Sequence, residues 1–285
     1  MTSSAGATPI ILCADDFGLA PGVSRAICDL AEAGRLSATS CMSVSPFLEE
    51  HVEWLRPYAH KIDVGLHLTL TDLEPLGELP KLAPRGRLPG LGSLMARAYT
   101  GRLPRVEVEA ELTRQFERFT EVWGRPPDFL DGHHHVHQLP IIRQVVLDLA
   151  RRRLPEKGYV RSCVEPLPRL FSRREAFLKA MIISVLGRPL KRHLKRSGIR
   201  TNTGFGGAYQ VTDSTGYGPK FTRFVEGVTP YFLVMCHPGF VDDDLVELDS
   251  MTGPREQEYD FFSGDLFPTI LADRNIRLTR FSAAE

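Results

Sequence analysis

Four of the nine histidines in this chain fall within five positions, His133-His134-His135-Val136-His137, directly after the apolar pair Phe129-Leu130. Neutral imidazole is the commonest nitrogen ligand for zinc and its neighbours, so this density points to a metal. Extended backbone would send His133, His135 and His137 to one face. Histidine-rich tags and storage tracts lie in polar tails instead, and this run is mid-chain. A second group, Asp15-Asp16, follows the apolar run Ile10-Ile11-Leu12-Cys13. Two carboxylates at the mouth of a buried strand are costly to desolvate unless a cation or hydrogen bonds compensate. One aspartate can then ligate while its neighbour faces water as a general base. Capping of a helix at 23–33 is the other reading of the pair, although residues 18–22 intervene. His67, in the alternating run Gly65-Leu66-His67-Leu68, would by itself be a core histidine. Together with Asp16 and His133 it makes three ligands, the number usual for a metal site that keeps positions open for water and substrate. His237, in Cys236-His237-Pro238-Gly239, comes from another strand end and suits acid catalysis better than ligation. Asp131 could orient a histidine or cap the turn before His133.

These residues need a scaffold that brings distant segments together. Short apolar runs at 10–14, 38–44, 62–68, 129–132, 159–164, 231–236 and 276–281 read as strands, with a weaker pattern near 200–204. Between them, 23–33, 47–58, 106–123, 139–153, 173–186 and 256–272 carry apolar residues at helical spacing, and Gly34 and Gly124 read as helix ends. This alternation predicts an α/β protein of repeated βα units. Every candidate residue lies toward a C-terminal strand end, the face on which (β/α) barrels carry their sites. We therefore expect a single distorted, TIM-like (β/α) barrel domain over residues 1–285. The stretches 71–105 and 201–218 are expected to be long loops walling a groove.

Bulk composition narrows the function classes. Lys plus Arg and Asp plus Glu both number 35, so no basic footprint suggests nucleic acid. The chain opens without a basic, apolar leader, and its longest apolar run, 180–186, is far short of the roughly 20 residues a membrane span needs. A cytoplasmic location is expected. The 5 cysteines form no CxxC pair and read as buried reduced thiols.

Taken in order, Ala14-Asp15-Asp16-Phe17-Gly18, Gly65-Leu66-His67, Asp131-Gly132-His133-His134-His135-Val136-His137 and Cys236-His237-Pro238-Gly239 resemble the signature segments of the YdjC-like (ChbG/HpnK-type) carbohydrate deacetylases. The resemblance implies a distorted (β/α) barrel in which Asp16, His67 and His133 hold one divalent metal ion, Mg2+ or Zn2+. It further implies Asp15 as general base and His237 as general acid in removing the N-acetyl group of an amino sugar, chito-oligosaccharide-like or lipid-linked. Arg161 falls where the family tends to carry an arginine, and Phe205 and Gly206 match a glycine-containing segment expected to contact substrate. His135 and His137 match family positions that either support the site or touch substrate.

Two other functions stay open at this point. A metal-dependent phosphoesterase would use similar ligands, and a sugar- or metal-binding module would need the ligands without acid and base. Between 169 and 200 ten Lys or Arg (169, 173, 174, 179, 188, 191, 192, 195, 196, 200) face one acid, Glu175, around the apolar run 180–186. Such a segment is an ordinary barrel helix with a solvated basic face, or a peripheral contact with the inner membrane surface. A homo-oligomer is compatible with the sequence.

Overall fold

In a computed structural model describing residues 6–172, 176–210 and 216–284, all eight strands are parallel and belong to one sheet. The chain runs β1 (Thr8–Phe17), α1 (Pro21–Glu32), β2 (Ala38–Cys41), α2 (Leu48–Leu55), β3 (Asp63–Leu68), α3 (Leu91–Tyr99), α4 (Arg105–Trp123), β4 (Phe129–Gly132), α5 (Ile142–Arg153) and β5 (Tyr159–Val160). It continues through α6 (Leu167–Ser172), α7 (Phe177–Arg196), β6 (Phe205–Gly206), α8 (Tyr217–Phe224), β7 (Phe232–Cys236), α9 (Asp243–Leu248), α10 (Gly253–Ser263), α11 (Leu266–Asp273) and β8 (Ile276–Leu278). Spatial order is β5-β4-β3-β2-β1-β7-β6, with β8 paired to the first residues of β1. The sheet curls until its edges meet at a parallel bridge, Tyr159 to Arg200. There the Asn202 side chain accepts from Ser162 N and donates to the carbonyls of Ser162 and Gly204, replacing a ladder with one amide. The result is a distorted (β/α) barrel.

Strand parity decides what faces the interior. Along β1, Ile10, Leu12 and Ala14 join the outer core beneath the helices, whereas Ile11 and Cys13 join Phe129, Tyr159, Phe205 and Leu233 inside the barrel. Burial on both sides explains why the strands read as continuous apolar runs. Gly65 is required by this interior, because a Cβ there would lie 2.5 Å from the Phe129 ring. Continuing the same parity, Asp15 on β1, His67 on β3 and Asp131 on β4 form a polar layer above the apolar one.

Several expectations need correction. The 71–105 stretch is not all loop: α3 occupies 91–99 and packs Leu94 and Ala98 inward. Within 201–218, β6 and the first turn of α8 are ordered elements, while 211–215 lie outside the described residues. The helix expected over 256–272 breaks at Gly264 into α10 and α11. The helix expected at 173–186 is α7, extended to Arg196 through Pro189, and residues 173–175 lie outside the described residues. Gly34 and Gly124 do take left-handed φ, 68° and 85°, past the ends of α1 and α4. All five cysteines are buried and unpaired.

Candidate active site

Asp16 should by parity face outward, yet its side chain lies inside with the others. The register between β1 and β2 shifts between Ala14 and Phe17, and Asp16 takes φ 69°. A bulge re-aims a side chain in this way, and aspartate tolerates the left-handed region better than most residues. Asp16 Oδ1 thereby comes within 3.2 Å of His67 Nε2 and 3.1 Å of His133 Nδ1. Bonds of about 2.0–2.1 Å in tetrahedral geometry place ligand atoms about 3.3 Å apart, so the spacing suits one cation. His67 Nδ1 lies 2.7 Å from Asp131 Oδ1, which orients the ring with Nε2 toward Asp16. Of the two readings of Asp131, the geometry gives the orienting one. The Asp15-Asp16 pair does not cap α1, whose N-cap is Ala20 without a side-chain bond.

Asp15 is held differently. Arg161, fully buried in the barrel, donates Nη1 to Asp15 Oδ2 at 2.6 Å and Nη2 to Asp15 Oδ1 at 2.5 Å. The same Nη2 meets Asp131 Oδ2 at 2.6 Å and Cys13 Sγ at 3.0 Å. Burial raises the Asp15 pKa, but Arg161 outweighs it and keeps the carboxylate ionised. His237 Nε2 stands 3.9 Å from Asp15 Oδ2, and burial lowers its pKa so that the neutral imidazole is favoured.

A second buried arginine was not legible as a site residue. Arg255 on α10 donates Nη2 to Asp16 Oδ2 at 2.7 Å and to Asp249 Oδ2 at 2.6 Å. The carboxyl of Asp16, raised by burial, is pulled well below the usual range chiefly by Arg255. Asp15, Asp16, Asp131 and the less buried Asp249 thus share two buried guanidiniums, Arg161 and Arg255, so carboxylates outnumber the arginines that face them. Burial lowers the His67 pKa, but Asp131 and Asp16 overcome it and push the imidazole up to about 10. The donor set of one carboxylate and two imidazoles, Asp16, His67 and His133, fits a divalent ion.

The histidine run does not alternate as extended chain would. Residues His133–Gln138 form a tight helical turn in which His134 and His135 take φ of 51° and 59°, so the rings do not alternate between two faces. His134 meets Thr71 Oγ1 at 3.0 Å, and its ring lies tilted against that of His133, centroids 3.9 Å apart. His135 faces the Cys163 thiol and packs edge-on against buried Phe205. His137 Nε2 bonds the Arg161 carbonyl at 3.1 Å, supporting the arginine rather than facing the cavity. Gly206 continues β6 against Phe232. A cavity of about 300 Å³ adjoins His133 and His134, walled by Asp72, Arg87, Leu248 and Asp249.

Glu258, also on α10, accepts from the His237 backbone N–H and the Tyr209 hydroxyl, both at 2.6 Å. Arg255 and Glu258 share the buried face of α10 with Phe262; charged residues falling on an apolar helical stripe were the available signal. Burial pushes the Glu258 carboxyl up to about 7 from 4.5. The folded protein then holds a proton between those pH values that the unfolded chain releases, so stability falls as pH rises through the window. The loss is about 3 kcal/mol for this group. Glu258→Gln should be flatter than the parent by that amount between pH 4.5 and 7 in urea titrations. Parallel curves for the two proteins would contradict the assignment.

A family model described as YdjC-like protein matches residues 9–273. Chitooligosaccharide deacetylases of Yersinia pestis (strain Pestoides F) and Yersinia pseudotuberculosis serotype O:1b (strain IP 31758) are each 32% identical over 276 residues, covering 95% of this chain and 97% of theirs. A solved structure from Enterococcus faecalis V583, described as a candidate cellobiose-phosphate cleavage protein, superposes with TM-score 0.76 at 23% identity, covering 98% of this chain and 99% of its own. That likeness supports the barrel fold alone.

Proposed function

The chain belongs to the YdjC-like family, and from that premise we propose that it is a metal-dependent carbohydrate deacetylase, hydrolysing the N-acetyl group of an amino sugar to acetate and a free amine. The observation that carries this reading is the convergence of Asp16, His67 and His133 on one point, with Asp15 and His237 beside it. When bound by those three side chains, a divalent ion supplies Lewis-acid polarisation of the amide carbonyl and lowers the pKa of water.

The remaining steps belong to the chain. Asp15 accepts the proton of the attacking water. Because Arg161 makes it a poor proton holder, the proton passes readily to His237, 3.9 Å away and neutral at rest. His237 then protonates the departing nitrogen; a well-placed acid or base of this kind contributes about 10²–10⁴ in rate. Arg161 keeps Asp15 aimed, and Asp131 keeps His67 turned. The substrate sugar occupies the cavity beside His133 and His134.

A two-metal phosphoesterase would need a second cation position. Cys13, Asp15 and Asp131 form the other cluster of potential ligands among the described residues, and the Arg161 guanidinium already sits there. Dialysis against a chelator should abolish acetate release from short N-acetylglucosamine oligomers, and one equivalent of Zn2+ or Mg2+ should restore it. Phosphate release from generic phosphoesters without any acetate release would overturn the reading.

A further inference from the structure

Of the 11 large apolar side chains exposed among the described residues, six lie on α6 and α7: Leu167, Phe171, Phe177, Leu178, Ile182 and Val185. The Phe171 and Phe177 rings, 6.2 Å apart, join the two helices into one patch. On α7, residues 178, 182 and 185 make a stripe at i, i+4 and i+7 that continues through Pro189 to exposed Arg192 and Arg196. One solvent face therefore changes from apolar to cationic along a helix about 30 Å long. The opposite face is pressed onto the site: Gln138 Nε2 bonds the Ile183 carbonyl, Ser184 Oγ accepts from Glu165 N, and Gly187 leaves room for Gln138. The patch thus lies about one helix diameter from the turn that carries His133 to His137.

The charge around the patch selects its occupant. Glu175, between the two helices in sequence, is the single acid in 167–200, and Arg188, Arg192, Lys195 and Arg196 are exposed. A second copy meeting this face symmetrically would bring no carboxylate on either helix to those cations, and like charges oppose such contact. An anionic bilayer offers both halves what they lack, acyl chains for the Phe, Leu and Ile side chains and phosphates for the arginines. No described helix is long and apolar enough to cross a membrane. We propose that α6 and α7 dock the protein peripherally on an anionic lipid surface, with the first half of α7 seated at the acyl boundary and its cationic half among the headgroups.

Cosedimentation with phosphatidylglycerol–phosphatidylcholine vesicles, compared with phosphatidylcholine alone, tests the surface without reference to activity. Binding is expected to the anionic vesicles only, and to weaken as salt rises. Two double variants, Phe171→Ser with Leu178→Ser and Arg192→Glu with Arg196→Glu, should each lower partitioning at least about tenfold. Both should retain hydrolysis of a soluble oligomer, which separates a failure of docking from a failure of the proposed chemistry. Absence of wild-type binding at low salt, or equal binding by wild type and both variants, would overturn the proposal. So would a dimer in sedimentation analysis that the Phe171/Leu178 variant dissolves, since that would assign the face to a second copy.

Discussion

Asp15→Asn is expected to lower kcat by at least about 10² to 10⁴ while the protein keeps its metal, because the amide preserves the shape of the carboxylate but cannot take a proton. The separation of roles rests on geometry. Asp15 points its two oxygens at Arg161, whereas Asp16 points Oδ1 at His67 and His133. Asp131 still meets Arg161 at 2.6 Å in the variant, so the buried guanidinium keeps a countercharge and folding should survive. Metal content by emission spectroscopy together with acetate release decides the matter. A variant that loses its metal, or turns over normally once reconstituted, would reverse the assignments of Asp15 and Asp16.

Arg255→Met should destabilise the metal-free protein by about 3–5 kcal/mol, the usual cost of removing one partner from a buried ion pair. Asp16 Oδ2 and Asp249 would both lose their donor. A saturating divalent cation should recover part of that loss, because it returns positive charge to Asp16 from the other side. The added stabilisation on metal binding is therefore expected to be larger in the variant than in the parent. Denaturant titrations with chelator and with metal measure both quantities. An equal loss in the two conditions would show that Arg255 and the metal centre are not electrically linked.

What the sequence displayed well was the set of residues that the fold brings together in the proposed site. Asp15, Asp16, His67, His133 and His237 lie at or just past the C-terminal ends of apolar runs, and parallel strands buried on both faces leave polar residues conspicuous there. The barrel followed from the same runs. The supporting charges were harder to see, since Arg255 and Glu258 lie within a helix whose polar residues are normally assigned to solvent, and only the third dimension places them under Asp16 and His237. Local backbone was misjudged where it departs from regular form. His134 and His135 in the left-handed region break the alternation expected of a strand, and no residue type there announces the turn. The helix α3 was concealed by the Pro- and Gly-rich segment that leads into it.

The bulge at Asp15 and Asp16 has a consequence for how such an enzyme could change. Two groups with different tasks are consecutive in the chain and both face inward, so their separation is set by a covalent link instead of by packing between elements. Loops, cavity walls and the proposed docking helices can drift, and substrate preference with them, while the distance between the proposed proton acceptor and the proposed ligand stays the same. The corresponding vulnerability is to the frame of the strand. Loss or gain of a single residue in β1 before Asp15 would exchange inward for outward on one side of the change, and no compensating side chain elsewhere could restore both positions at once.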